Sequence, residues 1–205
     1  MHSLVITIGR QYGSGGRLIG EAVANKLGIP FYNRNMIDMI AEKSGLAREY
    51  ISRREDKVSS RMIWAPVVGD TGMSMLYSLS YYTNSDKMFF AQSEIIKDIA
   101  KKGSCVIVGR CADYILRERK NCLKVFVYGD KKDRMERIVQ QYGVEQAKAA
   151  KTLDNTDNGR AKYYNHYTEM TWGDCRHYHL CIDSSRFGIE GAADVIVQAA
   201  KELME

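Results

Sequence analysis

The residues best equipped for chemistry sit near the start of the chain, in the stretch GRQYGSGGRLIG from Gly9 to Gly20. Glycines at 13, 15 and 16 permit backbone angles and close approaches that side chains forbid. A helix starting beside them would aim N–H groups and a partial positive charge at an anion. That is the chemistry of a phosphate cradle. The pattern G-x-x-x-x-G-K-[ST] adds a lysine for charge and a hydroxyl for Mg²⁺. Here Gly16 stands at the lysine's place, Arg17 follows one position later, and Leu18 has no hydroxyl. Arginine is always charged and its planar fork binds phosphate oxygens in pairs, so Arg17 can take over the lysine's electrostatic work. The metal would then be held by Ser14, or by water between phosphates and a carboxylate.

Two further segments carry charge in a useful order. VIVGRCADYILRER sets Arg110 and Asp113 just past a short apolar run, where an arginine can hold an acceptor's phosphate and a carboxylate can orient it. In GDKKDRMERIVQQYG, Arg134 and Arg137 are three apart and share a helix face. Arg160 and Lys162 follow beside Tyr163, Tyr164 and Tyr167. A mobile arm that brings such cations over a triphosphate stabilises phosphoryl-transfer charge and excludes water. The plainer readings are an ordinary strand–helix turn, an Arg–Asp surface pair and a solvated helix face.

The elements needed to position these groups are legible. SLVITI, residues 3–8, is apolar, β-branched and ends at Gly9, as a buried parallel strand does. Leu18, Ile19, Ala22, Val23 and Leu27 recur at helical spacing, and Gly28 with Pro30 stops the helix. SEIIKDIAKKG reads as a helix, SCVIVGR, LKVFVYG and HLCID as strands, and Ile189 to Leu203 as an amphipathic helix. Strands alternating with helices predict an open parallel α/β sheet covered on both faces. Ligands of such sheets sit at the strands' carboxyl ends, where Gly13, Arg110 and Gly129 emerge. From Phe31 to about Phe90 the rhythm changes. MIDMIAEKSG and LAREYISRRED are helical, and the stretch from Arg61 reads as an irregular insertion or an oligomer contact.

Composition narrows the classes. The 205 residues suit one core with insertions, and 45% hydrophobic content supports burying it. A net charge of +5, from 30 basic against 25 acidic residues, suits phosphorylated small molecules as well as polynucleotides and does not choose between them; no nucleic-acid partner is expected. The five cysteines are an odd number without C-x-x-C spacing, which suggests neither a zinc site nor a disulfide framework. His177 and His179 flank Tyr178 but are too few ligands for a metal. There is no signal-like N-terminus and no run of about 18 apolar residues, so a cytoplasmic protein is expected.

Taken together, ITIGRQYGSGGRLIGEAVANKLGIPFYNR, VIVGRCADYIL, DRMERI and RAKYYNHYT…WGD…YHLCIDSSRFGIEGAADVI resemble the cytidylate kinase-like family of P-loop nucleoside monophosphate kinases, along nearly the whole chain. The resemblance implies a three-layer α/β/α P-loop domain. Its core would be residues 1–30, 91–130 and 173–205, with an acceptor-side helical insertion over 31–90 and a lid over 131–172. It implies ATP and Mg²⁺ as cofactors and a nucleoside monophosphate such as CMP, or another small molecule, as acceptor. Arg10, Gly13, Ser14, Gly15, Gly16, Arg17 and Leu18 would surround the donor phosphates, with Asp183 and Ser184 near the donor base. Asn33, Arg34, Arg110 and Asp113 would face the acceptor. Arg17, Asp113, Arg134, Arg137 and Arg160 would carry catalysis. The chain has GSGGRL where family members resemble G-S-G-K-G-T, and Asn33 where they usually carry Asp. The competing expectation is therefore a regulatory protein that binds nucleotide or phosphate without turnover. A homodimer is compatible with either.

Overall fold

The computed structural model of the chain describes residues 3–54 and 83–204. The expectation of an irregular insertion or oligomer contact beyond Arg61 falls largely outside the described residues. The sheet has five parallel strands in the order β2-β3-β1-β4-β5. They are β1 (Val5–Arg10), β2 (Phe31–Tyr32), β3 (Cys105–Val108), β4 (Cys122–Tyr128) and β5 (Leu180–Asp183). β1 lies in the middle, paired with β3 on one side and β4 on the other. The loop leaving β1 therefore starts at the centre of the sheet, where the strand order reverses and ligands collect.

Alternation along the strands builds the two faces. Leu4, Ile6 and Ile8, with Val106, Val108, Leu123, Val125 and Val127, pack under α1 (Gly16–Leu27) and the C-terminal helix. Val5, Cys105, Ile107 and Cys122 face the other way, under α2 (Met36–Ser44), α3 (Arg48–Arg54), α4 (Asn84–Lys102) and α5 (Ala112–Ile115). The inner strands β1, β3 and β4 are buried on both sides, which is why they read as nearly continuous apolar runs. Gly20 lets α1 lie close on the sheet: a Cβ there would meet Val108, Ile8 and Phe31 at 3.0–3.1 Å.

The charged region after β4 forms two helices, α6 (Lys131–Tyr142) and α7 (Ala149–Thr168). The chain ends in α8 (Ser184–Met204), kinked at Gly188. Three elements differ from the sequence expectation. β1 runs two residues further, to Arg10, and Phe31–Tyr32 adds a short edge strand where helical periodicity was expected. α4 begins at Asn84, well before Ser93. Its start is fixed by a capping box: the Thr83 hydroxyl accepts from the Asp86 N–H at 3.2 Å, and the Asp86 carboxylate accepts from the Thr83 N–H at 3.0 Å.

Candidate active site

Gly13 and Gly15 both take left-handed angles, φ +75° and +78°. Ordinary residues resist these angles, and the space is closed as well: a Cβ on Gly13 would lie 2.6 Å from the Arg134 carbonyl. Gly15 caps α1, whose first turn has neither a side-chain cap nor an acidic residue. No hydrogen bond within the described residues occupies the N–H of Gly13, Gly15 or Gly16. Donors left open at a helix start form an anion seat. They border a cleft of about 740 Å³, also lined by Arg10, Arg17, Asn33, Arg34 and Arg160. That volume is of the size that holds a small ligand. Arg17 is about half exposed and pairs with Glu21 at 3.4 Å. Glycine loop, Arg17, Asn33 and Arg34 thus share one cleft.

Three arginines from α6 and α7 grip the loop from outside through its carbonyl oxygens. Arg134 donates to Tyr12 O at 3.2 Å, Arg137 to Gly13 O at 2.5 Å and Arg160 to Arg10 O at 3.2 Å. Arg160 also lies over the Tyr12 ring, 5.5 Å from its centroid. Arg134 is almost fully buried and forms an ion pair with Asp157 at 2.6 Å. The structure therefore brings all three sequence-predicted arginines to the glycine loop, each donating to a carbonyl of its backbone.

Adjoining the cleft is a small cavity of about 50 Å³ that shares Arg10 and Arg160 with it and is lined by Arg110 and Asp113. Here β3 ends in an unusual turn: Gly109, Arg110 and Cys111 have φ of 74°, 58° and 53°. Two consecutive non-glycine residues in the left-handed region mark a held conformation, of the kind that clusters at functional sites. Part of the hold is Gln92, a buried side chain on α4 whose amide donates to Arg110 O at 2.8 Å. Asp113 is buried and accepts from the Tyr164 hydroxyl at 2.7 Å. Burial raises its pKa above the ordinary carboxylate value, while the Tyr164 bond and the Lys124 charge pull it back down. Burial likewise pushes the neighbouring Cys111 thiol well up, so it is held as the neutral thiol.

Other sequence candidates lie apart from these cavities. Ser14 is fully buried and donates its hydroxyl to Gln11 O at 2.9 Å, inside the loop rather than toward the cleft. Leu18 is on α1 and lines neither cavity. Asp183 accepts from the Ser185 N–H at 2.9 Å, a local bond at the end of β5, and Ser184 donates to Tyr128 O at 2.8 Å, which ties the ends of β4 and β5 together. Among the described residues no group of three His, Cys, Asp or Glu side chains is arranged to hold a metal ion. No described helix is long and apolar enough to cross a membrane. Sequence reasoning missed Gln92 and Asp157, and it gave Tyr164 no specific partner. Their partners are backbone groups or residues far away in the chain, and the one available signal was the polarity of the helix faces that carry them.

The model of the cytidylate kinase-like family matches residues 5–186. A cytidylate kinase of Methanocaldococcus jannaschii is 25% identical over 203 residues, covering 98% of this chain and 99% of the relative. An uncharacterized protein of Eubacterium ventriosum has a similar solved structure, with TM-score 0.70 and 27% identity over 97% of this chain and 98% of that one. A shikimate kinase of Acinetobacter baumannii, solved with shikimate, shares the fold at TM-score 0.55 and 13% identity, covering 98% of this chain and 94% of that one. The fold is that of P-loop kinases, α/β with a parallel sheet. With the match spanning the glycine loop, the Arg110 turn and the arginine-bearing helices, the chain belongs to the cytidylate kinase-like family.

Proposed function

We propose that this chain is a nucleotide kinase that transfers the γ-phosphoryl group of ATP to a nucleoside monophosphate such as CMP, or to another small acceptor. The observation that carries this reading is the single cleft running from the open N–H groups of the glycine loop to Asn33 and Arg34, lined by Arg10, Arg17 and Arg160. Bound ATP supplies the phosphoryl group, and Mg²⁺ travelling on it neutralises charge on its phosphates. The chain holds those phosphates with the backbone of Gly13 to Gly16 and with Arg17, in a loop packed too closely on Arg134, Ile138 and Ile189 to admit a Cβ at Gly13 or Gly15. Ser14 keeps its hydroxyl inside the loop, so Mg²⁺ would be held through the phosphates and water. Arg110 and Asp113 hold and orient the acceptor from the cavity that adjoins the cleft through Arg10 and Arg160. Phosphoryl transfer asks for positioned cations and in-line geometry more than for a strong base, and a cytoplasmic setting suits such substrates.

A second reading has two observations behind it: the Ser14 hydroxyl is turned into the loop, and Arg17 is engaged by Glu21. On that reading the chain binds nucleotide as a regulator and does not turn it over. Both readings expect ATP to raise the melting temperature, since ligand at 100 times its Kd adds about 2.7 kcal/mol. Only the kinase releases ADP. A coupled ADP-release assay with ATP and Mg²⁺ across CMP, dCMP, UMP and non-nucleotide acceptors separates them. Thermal stabilisation without turnover on any acceptor would refute the kinase and leave the regulator, and no stabilisation by millimolar ATP, GTP or ADP would refute both.

A further inference from the structure

Asp157 has no role in the phosphate chemistry above, yet it makes a short contact to the glycine loop. It stands on α7, 145 residues from Tyr12 in sequence, and its side chain is 15% exposed. One oxygen accepts the Tyr12 N–H at 2.6 Å. The other accepts from Arg134 at 2.6 Å, and the same arginine nitrogen donates to the Tyr12 carbonyl at 3.2 Å. The two side chains therefore hold both backbone polar groups of Tyr12, one from each of α6 and α7.

We propose that Asp157 is a positioning residue of the donor site: with Arg134 it forms a latch that sets the backbone at Tyr12 and makes the loop's phosphate-binding shape depend on the seating of α7. The proposal rests on the reading of the glycine loop as the nucleotide site. Three observations support it. The loop's own hydrogen bonds take the amides of Gln11 and Ser14, to Val127 O at 3.0 Å and Gln11 O at 3.3 Å. Asp157 takes that of Tyr12, which leaves Gly13, Gly15 and Gly16 as the donors open to an anion. The carboxylate is neutralised by a nearly buried guanidinium, so it can sit beside a phosphate site without presenting a bare negative charge. Arg137 on Gly13 O and Arg160 on Arg10 O secure the residues to either side, so α6 and α7 bear on the loop as one surface. A swing of α7 away from the sheet would release Tyr12 and Arg10 together.

The test uses the full chain with Asp157→Ala, which removes both contacts, and Asp157→Asn, which keeps an acceptor for the Tyr12 N–H but loses the ion pair. Ile196→Val, in the core on the far face of the sheet, serves as the control for lost stability. Amide hydrogen exchange of residues 11–16 in the ligand-free protein and ATP affinity by calorimetry are both measured. Exchange at Tyr12 is expected to rise by roughly tenfold or more in Asp157→Ala, less in Asp157→Asn, and to stay at the wild-type rate in Ile196→Val. ATP affinity should fall in the same order while the control binds normally. Exchange that follows melting temperature alone across the three variants overturns the latch, as does ATP affinity left intact in Asp157→Ala. If exchange responds as expected but the wild-type chain takes up no nucleotide, the loop latch stands and the nucleotide reading fails.

Discussion

Tyr164→Phe isolates one hydrogen bond at the proposed acceptor side. The ring stays and its packing against the core is kept, so the change removes only the hydroxyl that donates to Asp113 at 2.7 Å. Asp113 is 6% exposed, and water cannot readily replace the lost donor. A bond to an ionised acceptor contributes about 1.5–3 kcal/mol and one to a neutral acceptor about 0.5–1.5 kcal/mol. The loss should therefore depend on pH. Burial raises the folded pKa of Asp113 above its unfolded value, so the protonated acid favours the fold. Its contribution is complete below the unfolded carboxylate range and is lost as pH rises through the raised folded value. The Tyr164 hydroxyl limits that loss because it favours the carboxylate; without it the folded pKa climbs further and stability falls more steeply with pH. Urea unfolding of both proteins from about pH 4 to about pH 8 should show a gap that widens toward neutral pH and reaches about 1.5–3 kcal/mol. At roughly 2–4 °C per kcal/mol for a chain of this size, that is a loss of about 3–12 °C in Tm. A gap that is constant with pH, or widest in acid, would show that the hydroxyl does not serve an ionising carboxylate.

Arg17→Ala should change stability by no more than about 0.5 kcal/mol, because an exposed pair such as Arg17–Glu21 contributes little. It should weaken ATP binding by about 1.5–3 kcal/mol in calorimetry, with partial recovery in Arg17→Lys, whose point charge cannot make paired contacts. Unchanged affinity would make Arg17 a surface helix residue. Gly16→Lys, which returns lysine to its usual place, should fail as a repair. A Cβ there would lie 2.6 Å from the Arg10 Cβ, close to both backbones, so about 1–3 kcal/mol of stability is lost and turnover falls. Higher turnover than wild type would show that the loop has room for lysine and that Arg17 had not replaced it.

Much of the fold was legible because it follows from runs of apolar residues. The strand-forming stretches at 105–108, 122–128 and 180–183 are bounded by glycine or polar residues, and the first two are apolar nearly throughout because both of their faces are covered. What was not legible depended on shorter signals. Two residues, Phe31 and Tyr32, are too few to show a period, and they pair with Val106 and Ile107 only because α1 delivers them to that edge. The start of α4 was visible in principle in TNSD, whose Thr83 and Asp86 cap each other. The segment before it, rich in Met and Tyr without a clear period, masked that signal.

The site divides along a different line. Residues that act through their own backbone, Gly13 and Gly15, were identified from type and spacing, because a left-handed turn before a helix asks for glycine. The arginines were identified by charge, but charge does not say which acceptor a guanidinium will meet. A backbone carbonyl has no sequence signature, so nothing distinguishes an arginine aimed at a phosphate from one aimed at Tyr12 O or Gly13 O. The geometry gives a reason to link the two. A loop without lysine lacks an internal cation to draw its carbonyls together, and here the cations come from outside, from α6 and α7 at Arg10, Tyr12 and Gly13. On the proposed reading the lysine's work would be shared out: Arg17, which lines the cleft, would serve phosphate, while Arg134, Arg137 and Arg160 hold the loop's carbonyls. The cost is that loop and lid no longer move independently, so in this chain nucleotide affinity should track the docking of α7 rather than the loop sequence alone.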